Sequence, residues 1–338
     1  MDPVSQATLG AIAALTVSRP GERGRAALIG AIAGAAPDID VLIKSSEDPL
    51  LGLQYHRHFT HALVFAPVIG LLVAALAALV PKIRSAGFGR LALYGIVGAL
   101  THGLLDACTS YGTQLYWPFS GYRESWDVIS IIDPLFTGPL LLALVLTFVL
   151  RSAFWARLGL IICLGYLGFG VFQRENAESW ARELADQRGH TVERVSARPS
   201  FANQILWRTV YLSDGTYYVD AVSIFPGREP VHYEGGAVED FSGEDAEILV
   251  GSDNVLAGDV ARFRHFSQDF LYRWPSDPGI IGDLRYSVLP DSVKPLWGIR
   301  VDPTRPDEHV TMEYFREVGD GSVGRLWKMI GGKPLDDQ

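Results

Sequence analysis

Residues 99–120, with the sequence ALTHGLLDACTSYGTQLYWPFS, indicate how the first half of the chain folds. The stretch begins as an apolar helix and then breaks into a polar loop that contains Gly112 and Pro118. His102 and Asp106 stand four residues apart, so both side chains lie on one face of the helix. An imidazole and a carboxylate one helical turn apart provide half of a metal site, because both are ligands of divalent cations.

Charge and apolar content divide the 338 residues into two unlike halves. Residues 1–172 hold 11 Lys and Arg against 10 Asp and Glu, whereas residues 173–338 hold 18 against 28. The division predicts a membrane domain over 1–175 and a water-facing domain over 176–338. The acidic second half argues against nucleic-acid binding through a basic surface.

Apolar helices are predicted throughout the first half. Runs with few or no charges that can cross a bilayer occupy residues 62–80, 91–108 and 131–150, and residues 158–172 complete the apolar half. Two helices over 4–17 and 26–36 are shorter than the ~20 residues that a spanning helix needs. The predicted fold class is therefore mostly α: a polytopic helical membrane bundle followed by a small α+β domain.

The basic residues give the bundle an orientation. Eight Lys and Arg lie in loops 18–25, 81–90 and 151–157, and three lie in loops 37–61 and 108–130. The positive-inside rule places the first set of loops in the cytoplasm, if each short helix also changes sides. The second set, and everything after Phe172, then faces the periplasm or the exterior.

All candidate ligands fall at that outer face, although the orientation was assigned from Lys and Arg alone. They are Asp38 and Asp40, His56, His58 and His61, His102 and Asp106, and Asp127 and Asp133. Mixed His and Asp ligands suit zinc, and also manganese or iron. Two ions are possible, and a two-metal site would clamp the attacking and leaving oxygens in phosphoester hydrolysis.

Structural explanations stay open for each pair of residues taken alone. His102 and Asp106 could equally be a hydrogen-bonded pair within the membrane. Asp38 and Asp40 could be part of a turn that ends a helix. Three histidines within residues 56–61 are harder to explain in this way. The remaining histidines and two tryptophans are predicted to be structural, surface or interface residues: His190, His232, His265 and His309, and Trp117 and Trp126.

The second half predicts a small α+β domain without a catalytic signature. A β-hairpin is expected over 205–212 and 216–225, helices over 244–255 and 259–274, and strands over 284–289, 296–301 and 310–316. Ser242 and Asp245 form a plausible capping arrangement for the first of these helices.

The motifs PDID, HRHFTH and THGLLDACTSYGTQLYWPFS, in this order, resemble the YdjM-like membrane-bound metal-dependent hydrolases over residues 1–180. The resemblance implies metal and catalytic roles for Asp38, Asp40, His56, His61, His102 and Asp106. The His-x3-Asp element is also similar to that of zinc-dependent phospholipases C and related single-strand nucleases. His58 departs from the family pattern, in which this position is usually small, and is interpreted as a tolerated loop residue rather than a ligand.

We therefore expect an inner-membrane hydrolase whose partners are membrane lipids and a lipid or phosphoester substrate. The proposed metal ligands are His56, His61, His102 and Asp106, while Asp38 and Asp40 hold a second ion or act as general base. Arg57 either neutralises a phosphate or pairs with Asp38 or Asp40.

Two other function classes stay open. A transporter or non-catalytic metal-binding membrane protein also uses His and Asp within the membrane, but the cytoplasmic half of the helices is almost purely apolar. In the third class, the acidic outer domain binds a protein partner and the metal is structural.

Overall fold

A computed structural model describes residues 1–335. Its contacts divide the chain into two compact units. Unit 1 contains Met1–Ile43 and Tyr55–Val171, and unit 2 contains Lys44–Gln54 and the chain from Phe172 onward. The segment Lys44–Gln54, called the connector below, therefore belongs with the second half, whereas the sequence predicted a single division near residue 175.

Unit 1 is mostly helical. The helices from the start of the chain to the second half are α1 (Pro3–Thr16), α2 (Arg23–Ala35), α3 (Leu51–Tyr55), α4 (Ala66–Ala77), α5 (Pro81–Arg84), α6 (Phe88–Ala107), α7 (Pro134–Val149) and α8 (Phe154–Gln187). Two 3₁₀ helices, Ala36–Leu42 and Phe59–His61, lie between the longer helices. Both carry residues of the predicted site.

Two helices of the described chain, α6 and α8, are long and apolar enough to cross a membrane. The segment Leu51–His61 and α4 qualify as one further span only when taken together, and they meet at a bend of 80°. Within the predicted span 62–80, the helix α4 therefore has only 12 residues. It begins at Ala66 with Pro67 in its first turn, and the chain before it contains the 3₁₀ helix Phe59–His61. The first half is mostly helical, and the polytopic bundle stays a prediction.

Glycines bring α1, α2 and α6 into backbone contact. A Cβ atom placed on Gly30 would lie 2.3 Å from the carbonyl oxygen of Gly10, and one on Gly98 would lie 2.6 Å from that of Gly30. Real Cβ atoms cannot approach so closely, so only glycine fits at these crossings. The close approach of small residues is the packing expected between helices in a membrane. It fixes α6, which carries His102, against α2, which leads to Asp38.

Unit 2 contains two antiparallel four-stranded sheets, each with its strands in chain order. The first holds β1 (Arg194–Pro199), β2 (Leu206–Ser213), β3 (Thr216–Ser223) and β4 (Val231–Glu239), and the second holds β5 (Leu271–Arg273), β6 (Ile280–Asp283), β7 (Trp297–Arg300) and β8 (Thr311–Tyr314). Its helices are α9 (Gly243–Val250), α10 (Val255–Ser267) and α11 (Ser322–Ile330).

Two local predictions in unit 2 are confirmed. Strands β2 and β3 form the expected hairpin, and Asp214 and Gly215 connect them with φ angles of 49° and 71°. An Asp-Gly pair is favoured there because both central positions of this turn need a positive φ. Ser242 and Asp245 form a reciprocal capping box at the start of α9.

Other boundaries in unit 2 differ from the prediction. Helix α9 ends at Val250, because Gly251 follows with a φ of 73°, and Asn254 caps a new helix. Helix α10 ends at Ser267 rather than 274, because Gln268 and Asp269 adopt left-handed backbone conformations and the chain continues into β5. Residues 284–289 are not a strand. The preceding strand β6 ends at Asp283, whose carboxylate accepts the amide of the residue two positions on at 3.1 Å and so turns the chain.

Replacing Gly30 by leucine tests the glycine contact. We expect Gly30→Leu to lower the free energy of unfolding by about 3 kcal/mol, because the added side chain forces two helix backbones apart. Thermal unfolding of the detergent-purified protein measures the effect. Gly24→Leu is the matched control, since Gly24 lies in the same helix and its Cβ would meet nothing within 4 Å. Equal melting temperatures for both variants would contradict the close helix contact.

Candidate metal centre

Four side chains of unit 1 converge into one group that could hold a metal ion: Asp38, His61, His102 and Asp106. Asp38 comes from the 3₁₀ helix Ala36–Leu42, which has Pro37 in its first turn, and His61 is the last residue of the 3₁₀ helix Phe59–His61. The other two residues lie one turn apart on α6, as their spacing predicted. One ligand atom from each side chain lies within 4.8 Å of the other three.

The distances in this group match the spacing of metal ligands. His61 Nε2 lies 2.9 Å from His102 Nε2, 3.1 Å from Asp106 Oδ2 and 3.5 Å from Asp38 Oδ1. His102 Nε2 lies 3.4 Å from Asp38 Oδ1 and 3.5 Å from Asp106 Oδ2. Four ligands arranged as a tetrahedron with bonds of about 2.05 Å are about 3.3 Å apart. Octahedral neighbours at similar bond lengths are about 3.0 Å apart, so the spacing accommodates zinc and also manganese or iron.

Hydrogen bonds orient both imidazoles toward the group. His102 Nδ1 lies 2.6 Å from the carbonyl oxygen of Gly34, which can only accept, so Nδ1 carries the proton and Nε2 presents its lone pair. His61 Nδ1 lies 3.2 Å from Asp40 Oδ2 and 3.0 Å from Thr60 Oγ1. A carboxylate or carbonyl behind each ring is the usual support of a metal-binding histidine.

Asp106 supplies an independent indication of a cation. Its side chain is buried, and Oδ1 accepts hydrogen bonds from the Met1 ammonium and, at 2.9 Å, from Gln6 Nε2. Oδ2 is also buried; it lies 3.2 Å from Arg57 Nε as an ion pair but accepts no hydrogen bond from the described residues. A buried carboxylate oxygen without a hydrogen bond is costly, and a divalent cation would satisfy it. The residues therefore fit a divalent metal.

Asp38 also belongs to a second group, with Asp40 and His56. Asp40 is fully buried, and it accepts hydrogen bonds from the Arg57 amide at 3.0 Å and from Thr60 Oγ1 at 2.9 Å. Its other oxygen lies 2.8 Å from His56 Nδ1. These contacts make Asp40 an orienting residue for His61 and His56, and a ligand only if a second ion binds.

Both aspartates are held in the ionised form. Burial opposes ionisation of Asp38, but the neighbouring imidazoles of His102 and His61 outweigh it and hold the pKa of this carboxyl well below its usual range. Asp40 is also buried, and its hydrogen bonds with His56 and His61 lower its pKa in the same way. Carboxylates that stay ionised at neutral pH are ready to bind a cation.

Arg57 contacts Asp106, and its side chain does not form the predicted ion pair with Asp38 or Asp40. Its Nε lies 3.2 Å from Asp106 Oδ2, and its Nη1 donates to Thr109 Oγ1 at 2.7 Å. The guanidinium is buried and lies against the ring of Tyr111. These contacts tie the loop that carries Arg57 to the end of α6.

Three further candidate ligands lie outside both groups. His58 packs against the rings of Tyr55 and Trp117, with ring centroids 5.4 and 5.3 Å away, which agrees with its interpretation as a loop residue. Asp133 caps α7 and accepts the hydroxyl of Tyr166 at 2.8 Å. Asp127 is buried and is not a member of any ligand group in the described chain.

The sequence did not reveal the atoms that orient the ligands. The carbonyl of Gly34 carries no sequence signal, since every residue has one. Thr60 lies inside the HRHFTH motif, and its hydroxyl donates to Asp40 Oδ2 at 2.9 Å. A third group in unit 2, formed by Asp48, Asp259 and His309, was also not predicted.

The family match covers the half of the chain that holds the first two groups. The sequence model of the family described as YdjM inner membrane protein matches residues 1–177. The chain is 33% identical over 132 residues to the uncharacterized protein YfhP of Bacillus subtilis (strain 168), which covers 37% of this chain and 38% of that protein. It is 36% identical over 106 residues to the inner membrane protein YbcI of Escherichia coli (strain K12), which covers 30% of this chain and 60% of that protein. No solved structure matches.

Removal of one ligand tests the metal centre. We expect the wild-type protein to hold one or two divalent ions per chain by elemental analysis, and His102→Ala to lose the ion of the first group. His58→Ala is the matched control, because this histidine lies in the same region but outside both groups. A wild-type protein that holds no ion after purification without chelator and reloading with zinc or manganese would contradict the centre.

Proposed function

Because this chain belongs to the YdjM family of inner membrane proteins, we propose that it is a membrane-bound, metal-dependent hydrolase that cleaves a phosphoester of a lipid. One observation carries the proposal: four ligand atoms from Asp38, His61, His102 and Asp106 lie at metal-ligand spacing, and both imidazoles are oriented from behind. Buried ionisable groups in a membrane protein are costly to keep and are therefore functional by default.

The metal centre is open to solvent on one side. The side chains of His61, His102 and Asp106 are at most 1% exposed, whereas that of Asp38 is 26% exposed. Substrate and water therefore reach the group at Asp38. When bound, a divalent cation lowers the pKa of water and neutralises charge on a phosphoryl oxygen.

The residues of the chain act as general base or orient the ligands. Asp38 stands where the reacting water enters, and its second carboxylate oxygen accepts the proton of that water as general base. Asp40 fixes the tautomer of His61, and Gly34 fixes that of His102. The contacts of Arg57 favour a role in holding Asp106 over direct contact with the phosphate.

Exposed apolar side chains border this entrance and favour a lipid as substrate. Ile39, Val41 and Leu42 flank Asp40, which contacts His56, and each is more than half exposed. Arg123 donates to the His56 carbonyl at 3.2 Å, and Phe119 and Tyr122, which precede Arg123 in the chain, are 85% and 61% exposed. Apolar side chains exposed in such numbers mark a contact with lipid or another apolar partner. They are suited to hold acyl chains while the headgroup reaches Asp38.

The proposal includes a multi-pass arrangement with the metal centre and unit 2 on the periplasmic side. It rests on the excess of Lys and Arg in loops 18–25, 81–90 and 151–157.

A second candidate function is metal binding without catalysis. A site with four protein ligands is typical of structural zinc, whereas catalytic zinc usually keeps one position for water. The four-residue group therefore also fits a structural ion, and assays of hydrolysis separate the two functions.

Hydrolysis of lipids tests the leading proposal. We expect the metal-loaded protein to cleave a phosphoester of phosphatidylethanolamine, phosphatidylglycerol or phosphatidate in mixed micelles, followed by phosphorus-31 NMR. Asp38→Asn should lower kcat about 100-fold or more, because a general base contributes about that factor. If no phosphoester is cleaved by protein that holds its metal, the non-catalytic function is favoured.

Variants of the apolar border separate a lipid from a water-soluble substrate. Leu42→Ser and Phe119→Ser should each raise KM for the micellar lipid about tenfold, since burial of one such side chain contributes about 1.5 kcal/mol or more. Ile248→Ser is the matched control, because Ile248 is a similarly exposed residue of unit 2. Equal KM values in all three variants would contradict contact between the border and acyl chains.

Labelling of single cysteines tests the proposed orientation. Both native cysteines are buried, so an introduced thiol is labelled selectively. In intact cells with a permeabilised outer membrane, a membrane-impermeant maleimide should label Ser252→Cys in unit 2. Ser85→Cys, in the basic loop 81–90, should react only after the inner membrane is opened. The reverse pattern would place unit 2 in the cytoplasm.

A further inference from the structure

The connector joins the two parts of the metal centre along the chain. It begins two residues after the 3₁₀ helix Ala36–Leu42, which carries Asp38 and Asp40, and it ends at Gln54, two residues before His56. Although both of its ends continue into unit 1, the connector packs as part of unit 2, and its Leu50 is almost completely buried. The path of the chain between Asp40 and His56 is therefore set by unit 2.

Arg262 of α10 donates hydrogen bonds to two residues of the connector, Asp48 and Gln54. Its Nη1 donates to Asp48 Oδ2 at 2.7 Å and its Nη2 donates to Asp48 Oδ1 at 3.0 Å. The same Nη1 also lies 3.2 Å from Gln54 Oε1. A forked guanidinium–carboxylate pair fixes direction as well as distance, so it restrains the short helix α3 that leads to His56.

Arg262 is itself held in place by a buried carboxylate. Its Nη2 also donates to Asp259, one turn earlier on α10. Asp259 accepts the amide of Val310 at 3.0 Å and lies 2.9 Å from His309 Nδ1. Asp48, Asp259 and His309 satisfy the spacing of metal ligands, but Arg262 already neutralises both carboxylates. The group is therefore an ion-pair network that pre-orders the guanidinium.

We propose that Arg262 is a positioning residue for the metal centre and sets the Asp40–His56 pair through the connector. The inference rests on the proposed function, because Asp40 and His56 belong to the second group of candidate metal ligands. We expect the first group to depend on Arg262 less, because Asp40, which supports His61, is also held by the Arg57 amide and by Thr60 Oγ1. The two residues of the first group on α6 are placed by that helix and by the Gly34 carbonyl, and these contacts lie within unit 1. Loss of Arg262 should therefore weaken the second ion selectively.

Hydrogen–deuterium exchange of the full-length, metal-free protein tests the positioning role directly. Arg262→Ala should raise the exchange rate of amides in residues 50–56 about tenfold or more, including the Gln54 amide that donates to Leu50. Arg300→Ala is the matched control, because Arg300 also bridges two carboxylates of unit 2, Asp277 and Glu313, and does not contact the connector. Unchanged exchange of the connector in Arg262→Ala would overturn the inference.

Metal titration of the same proteins gives the second measurement. With zinc as the probe, Arg262→Ala should raise Kd for the second ion about tenfold and leave Kd for the first ion within twofold of wild type. Kd for the second ion in Arg262→Lys should lie between the values for wild type and Arg262→Ala. A single ammonium cannot form the forked pair with Asp48 and also reach Gln54. Equal weakening of both ions would overturn the selective role.

Asp48→Ala distinguishes a local effect on the connector from a general loss of folding in Arg262→Ala. It removes the connector's side of the pair and leaves Asp259 and α10 intact, so it should reproduce the local exchange and the selective loss of zinc. If Arg262→Ala speeds exchange across unit 2 while Asp48→Ala has no effect on residues 50–56, the inference is wrong. If wild type binds no zinc, the proposed function fails, and the exchange data on metal-free protein still decide whether Arg262 orders the connector.

Discussion

The hydrogen bond from His102 Nδ1 to the carbonyl oxygen of Gly34 is the contact on which the centre depends most. It spans 2.6 Å between α6 and the end of α2, and it sets the tautomer that turns Nε2 inward. The bond can form because the helices meet at glycine: a Cβ on Gly34 itself would lie 2.8 Å from the Gln6 carbonyl oxygen of α1. Asp38 follows Gly34 by four residues, so the same contact brings the first carboxylate to the imidazole. The close packing of the helices at glycine therefore also determines the geometry of the candidate ligands.

Burial makes this arrangement expensive in the absence of a cation. Two imidazole lone pairs and two carboxylates face one another within 4.8 Å, and one oxygen of Asp106 accepts no hydrogen bond from the described chain. Arg57, at 3.2 Å from that oxygen, and the Met1 ammonium, which pairs with the other oxygen, offset part of the negative charge. A fold selected for stability alone would replace such a group with apolar side chains, which are often equally or more stable. The cost is therefore evidence that the group serves a ligand.

The sequence predicted which candidate ligands lie together better than it predicted the scaffold that supports them. His102 and Asp106 followed from helical spacing alone, and Asp38 from a Pro-Asp turn that the structure forms as a 3₁₀ helix. The supporting atoms were not predictable, because a backbone carbonyl such as that of Gly34 leaves no trace in residue type. In unit 2 the hairpin was predicted from its Asp-Gly turn, whereas β1 and β4 were missed, since their ends depend on partners distant in sequence. Nothing in the connector's composition showed that it packs with the second half.

That placement of the connector explains how a loop can carry half of a precise site. Fixing the backbone of each residue costs roughly 1–2 kcal/mol, so an unsupported loop of this length would sample many conformations and hold Asp40 and His56 together only part of the time. Burial of Leu50 and the forked pair between Asp48 and Arg262 offset that cost. The family match ends at residue 177 and so includes the connector but not the unit that orders it. The segment that links Asp40 to His56 is thus ordered by contacts with residues beyond the matched region.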